Sequence, residues 1–118
     1  MMRASRGRTG IKVRITELAA QAIVDQADYY SGRQDDLLAA RWENAVAQVV
    51  ESLLNMPERG SLCRFDSARL KALRRIPVPG FPQHLVFYQY IREPRIVRVV
   101  HVLHGARDIE MLMTGLEL

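Results

Sequence analysis

The sequence concentrates side chains that can move protons and bind anions between residues 74 and 107. Histidine titrates near neutral pH and can therefore act as an acid or a base. Paired arginines such as Arg74 and Arg75 can clamp a carboxylate or a phosphate. The members of this set are Arg74, Arg75, His84, Tyr88, Tyr90, Arg98, His101, His104 and Arg107. No His-x-x-x-His or Glu-x-x-His spacing accompanies them, so we expect no metal and no other cofactor.

Several members of this set also have a purely structural interpretation. His104 and Gly105 lie where a predicted strand ends, where glycine permits a tight turn and histidine can bond the backbone. Arg107 and Asp108 can form a local ion pair that pins the C-terminal segment. Whether these residues do chemistry therefore depends on the elements that position them.

The N-terminal part follows the pattern of a strand and then a helix. Apolar residues alternate with Lys12 and Arg14 over residues 11–15, which predicts a strand with one apolar face. Thr16 can cap the following helix, and Gly32 ends it. The residues that share its apolar face are Ala19, Ala22, Ile23, Ala27 and Tyr30.

A second helix is predicted from Asp35 or Asp36 up to Pro57. Its apolar stripe consists of Leu38, Trp42, Ala45, Val49, Leu53 and Met56. Because only a few residues link the two helices, we expect an antiparallel hairpin. Both stripes are then core, and they imply no cofactor.

Three more strands are predicted after a polar loop at residues 57–69. They cover residues 70–76, 84–91 and 95–104, with turns at 77–82 and at Glu93-Pro94. Short turns pair consecutive strands in the antiparallel sense. The prediction is an α+β fold in which the helical hairpin covers one face of a mostly antiparallel, four-stranded sheet. We expect the opposite face to be cationic and open.

Charge divides the chain into an acidic and a basic part. Residues 15–58 carry two basic and eight acidic groups, whereas residues 59–107 carry ten basic and two acidic groups. The basic part should attract nucleic acid or an acidic protein segment. Residues 1–10 are basic and lack an apolar segment, so we predict a flexible lead to a single domain at 11–118.

Cysteine content and hydropathy predict a cytoplasmic protein. Cys63 is the only cysteine, so it forms no internal disulfide, which favours a reducing compartment. No apolar run approaches the roughly 18 residues of a membrane span. We expect no membrane partner, and we interpret Cys63 as a bystander thiol.

The end of the last predicted strand resembles a known family. A hydrophobic strand runs into His-Gly-Ala-Arg-Asp over residues 102–108, which resembles the closing signature of ParE-type toxins in the RelE/ParE superfamily. Further matching segments are Leu73-Arg74, Gly80-Phe81, residues 85–88 and residues 57–60. The resemblance covers about residues 11–113. It implies the superfamily's fold and a toxin for plasmid stabilisation, wrapped and silenced by a small DNA-binding antitoxin with an extended tail.

The resemblance leaves two toxic mechanisms open. RelE-like members cut mRNA on the ribosome, whereas ParE-like members inhibit DNA gyrase by protein contact without catalysis. RNA cleavage needs a base, an acid and cations, and the RelE-like pattern supplies them from sheet lysines, arginines and a C-terminal tyrosine. In that pattern Arg107 is matched, whereas the tyrosine position falls near Met113 and no tyrosine follows Tyr90.

We therefore predict a ParE-like gyrase inhibitor that a cognate antitoxin neutralises. The alternative is a ribosome-dependent mRNA endonuclease, and a third hypothesis is a non-toxic relative that only regulates its operon. The predicted partner-binding residues are Arg74, Arg75, Tyr88, Arg98 and Arg107. The candidate catalytic residues of the enzymatic alternative are Arg74, His84, His104 and Arg107.

Overall fold

Two helices pack on one face of a mixed five-stranded sheet in the computed structural model, which describes residues 10–65, 70 and 72–105. The elements are β1 (Lys12–Ile15), α1 (Glu17–Gly32), α2 (Asp36–Ser52), β2 (Ser61–Leu62), β3 (Leu73–Val78), β4 (Phe81–Ile91) and β5 (Ile96–His104). The sheet order is β1-β5-β4-β3-β2, with β1 parallel to β5 and every other pair antiparallel. This confirms the predicted α+β class and the helical hairpin. Within these described ranges, no helix has the length and hydrophobicity to cross a membrane.

Both helices begin at the predicted caps. The Thr16 hydroxyl accepts a hydrogen bond from the Ala19 amide at 3.1 Å and donates one to the Val100 carbonyl at 3.0 Å. The first bond satisfies a free amide of the first turn, and the second ties that turn to β5. Asp35 caps α2 by accepting from the Leu38 amide at 2.9 Å.

The second helix ends earlier than predicted. It stops at Ser52, and the chain continues in turns up to Met56. Met56 is 63% exposed, so its assignment to the apolar stripe was wrong. The stripe fails there because the chain has left the helical path that would return this side chain to the sheet.

The main core lies between the helical hairpin and the sheet. Trp42 is fully buried at its centre, and its indole N–H donates to the Ile23 carbonyl of α1 at 3.0 Å. That bond satisfies the polar end of a buried aromatic side chain and joins the two helices. Buried members on the sheet side include Val13, Ile76, Val86, Tyr88, Val97 and Val99.

The strands differ from the prediction in their number and in the predicted turn at 77–82, where Pro77 belongs to β3 and Pro82 to β4. β2 lies inside the stretch predicted as a loop, so the sheet has five strands, and β3 continues through Pro77. Because β2 pairs only with Arg74 and Arg75, β3 is an edge strand at Pro77 and loses no ladder bond there. Gly80 forms the turn to β4 with a φ of +82°, a conformation that glycine adopts without strain.

The sheet face opposite the helices is not the open cationic surface that was predicted. It carries a second apolar core of Cys63, Leu70, Leu73, Phe87 and Val100, all of them buried. The chain after β2 covers the middle of this face, because the predicted polar loop contains Cys63 and Phe65, and Phe65 packs against this core. The cations Arg14, Arg75 and Arg98 remain, but they lie around this second core.

Candidate functional site

Arg74 binds the backbone of residues 58–60, a segment we call the clamped loop. One guanidinium nitrogen donates to the Glu58 carbonyl at 3.0 Å and to the Gly60 carbonyl at 2.7 Å. The other lies 3.5 Å from the Glu58 carboxylate, and the Arg74 side chain is only 19% exposed. Arg74 therefore fixes the clamped loop against β3, and much of its hydrogen-bonding capacity is used there.

Tyr88 holds the clamped loop from inside the core. It is fully buried, and its hydroxyl accepts a hydrogen bond of 2.8 Å from the Gly60 amide. Burial raises the pKa of the Tyr88 phenol, so the neutral form is favoured. Tyr88 was predicted as a partner contact, but its ring lies on the helix-facing side of β4 and does not reach the surface.

Gly60 fits this position because it lacks a side chain. A Cβ atom there would lie 2.6 Å from the Tyr88 hydroxyl oxygen and 2.9 Å from the Arg75 carbonyl oxygen. Both distances are shorter than non-bonded contacts allow.

Outside the core, Arg92 donates to the Glu58 carboxylate at 2.8 Å. The Arg92 hydrogen bond and charge lower the pKa of Glu58.

His84 and His104 face each other across β4 and β5. Their ring centroids are 4.6 Å apart, and the Trp42 centroid lies 4.6 Å from His84 on another side. His84 is buried, and its Nε2 atom has no hydrogen-bond partner among the described residues. Burial, followed by the neighbouring His104, lowers the pKa of His84. The neutral form of His84 is therefore favoured inside an aromatic cluster, whereas His104 is exposed.

The candidate catalytic residues do not form one constellation. Arg74 pairs in register with Tyr88, and His104 pairs with His84. His84 and Tyr88 are four positions apart on β4, so the two pairs are separated by about 13 Å along the strand. Arg107 lies outside the described residues.

The remaining predicted cations lie on the face opposite the helices. Arg75 is exposed and pairs with Phe87, whereas Arg98 is half-buried and pairs with Gln89 and Arg14. Cross-strand partners share a face. From the strand spacing, Arg75 and Arg98 are about 12 Å apart, with the second core between them. They belong to one face but to two separate patches.

The other titratable groups near this face have structural surroundings. Burial raises the pKa of the Cys63 thiol, which favours its unreactive neutral form. The His101 ring accepts a hydrogen bond of 2.9 Å from the Val102 amide, and burial lowers the pKa of His101. Across the parts of the chain that the structure describes, no three His, Cys, Asp or Glu side chains gather as a metal site would require.

The sequence matches a known protein family over most of its length. The family described as "ParE toxin of type II toxin-antitoxin system, parDE" matches residues 13–109, which is more than half of the chain. The chain belongs to the ParE toxin family. The match extends from β1 past the clamped loop and the His84–His104 pair, so both features lie inside the ParE family domain.

A solved structure supports the same fold for this ParE family member. A chain described as "Chromosomal ParDE TA system from P. aeruginosa" superposes with a TM-score of 0.65 at 10% sequence identity. The alignment covers 81% of this chain and 97% of that chain. At this identity the likeness concerns the fold alone. No curated protein matches the sequence.

Sequence reasoning missed three residues of the clamped loop and its surroundings. Glu58 and Gly60 were noted only within a matching segment, and Arg92 was not singled out. Pro57-Glu58-Arg59-Gly60 was the available signal, since a glycine beside charged residues after a helix indicates a turn under a special constraint. Its partner in the core, Tyr88, lies 28 residues away and could not be assigned from spacing.

Proposed function

We propose that this ParE family member is the toxin of a type II toxin–antitoxin pair that inhibits DNA gyrase by protein contact. A cognate antitoxin neutralises it, and both act in the cytoplasm. Family membership supports the toxin assignment. One structural observation supports binding over catalysis: three of the side chains suited to chemistry are engaged in holding the fold.

That observation concerns Arg74, Tyr88 and His84. The guanidinium of Arg74 is bonded to two carbonyls of the clamped loop, and the Tyr88 hydroxyl is bonded to the Gly60 amide. The Nε2 atom of His84 is buried beneath aromatic rings. A general base must come within hydrogen-bond reach of the proton that it removes. A substrate does not reach these atoms unless the loop and the core open, whereas a partner protein needs only the surface that they stabilise.

Charge supports an acidic neutralising partner. Ten of the chain's cationic groups fall between residues 59 and 107, against two acidic groups. Arg75, which is one of the exposed cations, lies beside the second core, because it pairs with the core residue Phe87. Complementary charge accelerates association and selects the partner, which suits an antitoxin that must capture its toxin quickly.

Expression in a bacterial host separates the hypotheses. The chain is induced from a tight promoter while an SOS reporter, protein synthesis and mRNA integrity are followed together. A gyrase inhibitor induces the SOS reporter before protein synthesis declines. Immediate translation arrest with mRNA cut at codons contradicts the proposal and establishes the endonuclease instead. Unaffected growth with the folded protein present contradicts both and leaves the operon-regulating hypothesis.

A further inference from the structure

We propose that His84 and His104 form a binding site for a divalent transition-metal ion such as Zn²⁺, held between their two imidazole rings at the end of the β4–β5 ladder. The site goes beyond the proposed function and depends neither on gyrase nor on an antitoxin. Three features carry it: the geometry of the pair, the uncommitted nitrogen of His84 and the exposed position of His104.

The strand register brings the two imidazole rings together. The Gly105 amide donates to the Gln83 carbonyl at 2.7 Å, so Gln83 and Gly105 form a hydrogen-bonded pair. The next pair in the register, His84 with His104, is then of the non-hydrogen-bonded kind, in which opposite side chains come closest. Both rings lie on the helix-facing side of the sheet, because His84 contacts Trp42 of α2 and cross-strand partners share a face.

The separation of the two rings suits two ligands of one ion. Their centroids are 4.6 Å apart, and the ring planes are inclined by 62°. With metal–nitrogen bonds of about 2.0–2.1 Å, two imidazoles on one ion have centroids about 4.5–5.2 Å apart, for ligand angles from square-planar to tetrahedral. Rotation about the side-chain bonds of His104 is therefore enough to complete the pair, and the strand register stays as it is.

His84 contributes a nitrogen that has no other role in the fold. Its Nε2 atom is buried and has no hydrogen-bond partner among the described residues. Buried polar atoms in native proteins nearly always have a partner, and a bound metal ion is one way to satisfy an imidazole nitrogen. Only the neutral imidazole binds a metal, and the lowered pKa of His84 favours that form at neutral pH.

His104 provides the entrance to the site. It is exposed, whereas Trp42, which lies against His84 on another side, is fully buried. When the His104 ring turns about its own side-chain bonds, a single ion reaches His84 while the aromatic cluster stays closed. A nucleic-acid substrate is too large to follow the ion, so the site agrees with a toxin that acts by binding.

The ligand set selects the class of ion. Imidazole nitrogen suits zinc, copper, nickel and iron, whereas magnesium and calcium prefer carboxylate and carbonyl oxygens. Within the described ranges no third His, Cys, Asp or Glu side chain joins the pair, so water completes the coordination. The site is therefore open and exchangeable, unlike an enclosed site with four protein ligands. Because His104 begins the His-Gly-Ala-Arg-Asp segment, a bound ion fixes the start of that segment to β4.

The test titrates Zn²⁺ into the purified full chain, freed of any affinity tag, by isothermal titration calorimetry at neutral pH. The proposal predicts one ion per chain and an affinity about tenfold or more weaker in His104→Ala, since loss of even an orienting neighbour of a ligand typically costs about 10- to 100-fold. His104 is exposed, so this variant should keep the urea unfolding midpoint of the wild type. His101→Ala is the matched control on the same strand. The His101 ring is bonded to the Val102 amide, and this variant should bind Zn²⁺ as the wild type does.

Two further measurements locate the ion. Trp42 is the only tryptophan and lies beside His84, so bound Ni²⁺ should quench its fluorescence more strongly in the wild type than in His104→Ala. Zn²⁺ should also raise the thermal unfolding midpoint of the wild type, because only the folded chain brings the two histidines together.

Equal Zn²⁺ affinity of the wild type and His104→Ala overturns the proposal, as does equal weakening by His101→Ala. Displacement of Zn²⁺ by an equal concentration of Mg²⁺ also overturns it, because two imidazoles do not favour magnesium. These assays contain neither gyrase nor antitoxin, so their failure leaves the proposed function standing.

Discussion

The Gly60 amide donates a 2.8 Å hydrogen bond to the hydroxyl of Tyr88, a residue in the middle of β4. Tyr88 is fully buried, so water cannot replace the bond. The contact couples the start of the edge strand β2 to the main core. Stability of the core and the position of β2 are therefore linked through one pair of atoms.

Tyr88→Phe tests this coupling by removing only the hydroxyl. The Gly60 amide would be left buried without an acceptor, which should cost about 1–3 kcal/mol of the free energy of unfolding. Urea denaturation followed by circular dichroism measures the change. Tyr29→Phe is the matched control, because Tyr29 is 56% exposed and its hydroxyl makes a long contact of 3.5 Å to the Arg33 guanidinium. Equal stability of Tyr88→Phe and Tyr29→Phe would contradict the role assigned to the bond.

Gly60→Ala tests the close approach at the same position. The new methyl group would meet the Tyr88 hydroxyl and the Arg75 carbonyl at less than 3 Å. Relief of that overlap requires the clamped loop to move, and overpacking of this kind typically costs about 1–3 kcal/mol. Gly32→Ala is the control, since nothing lies within 4 Å of its added methyl group. The account fails here if thermal unfolding of the two variants is indistinguishable.

Arg74→Ala removes the cation that holds the clamped loop. Two bonds from a charged donor to backbone carbonyls are lost, and we expect a loss of about 1.5–3 kcal/mol. Arg74→Lys should recover only part of it, because one ammonium nitrogen would replace two guanidinium nitrogens, of which one bonds the loop carbonyls and the other contacts the Glu58 carboxylate. Arg92→Ala should leave the unfolding midpoint nearly unchanged, since the Arg92 side chain is 74% exposed. An Arg74→Ala variant as stable as Arg92→Ala would contradict the role assigned to Arg74 in holding the clamped loop.

Stability should fall when the solution becomes mildly acidic. The pKa of His84 in the folded chain is lowered from the ordinary value of 6.5, by burial and then by His104. Well above pH 6.5 the His84 side chain is neutral in both the folded and the unfolded state, so its contribution to stability is fully present. As the pH falls below 6.5, His84 binds a proton in the unfolded chain but remains unprotonated in the folded chain, so the free energy of unfolding decreases.

His84→Phe isolates that contribution from the other titrating groups. Urea unfolding at several pH values between 7.5 and 5.5 should give a shallower dependence for His84→Phe than for the wild type. His101 is retained in the variant, and its pKa is also lowered by burial, so a residual slope is expected. An identical slope in the two proteins would show that His84 does not carry the effect.

Local signals in the sequence predicted the helices well. Thr16 and Asp35 cap their helices because a cap depends on residues only a few positions away. The apolar stripe through Trp42 and Val49 was correct for the same reason, since helical spacing is fixed by local geometry. It failed at Met56, where the helix had already ended.

Contacts that depend on strand register could not be predicted. The His84–His104 pair and the Gly60–Tyr88 bond join residues far apart in sequence, and a shift of one residue would reverse the faces of a strand. The second core was missed because Cys63 and Phe65 lie in a polar stretch without periodicity. Arg74 was predicted to bind a partner, whereas the structure shows its guanidinium bonded to the protein's own backbone.

The central claim is that the chain acts on gyrase by binding and without catalysis. The most direct measurement is supercoiling of relaxed plasmid by purified gyrase, titrated with the purified chain, with an RNA transcript included in the same reaction. The account predicts that supercoiling stops as the chain approaches the gyrase concentration and that the transcript remains intact. Uninhibited supercoiling at excess chain would contradict the account, as would inhibition that appears only after nucleic acid has been cut by the chain alone.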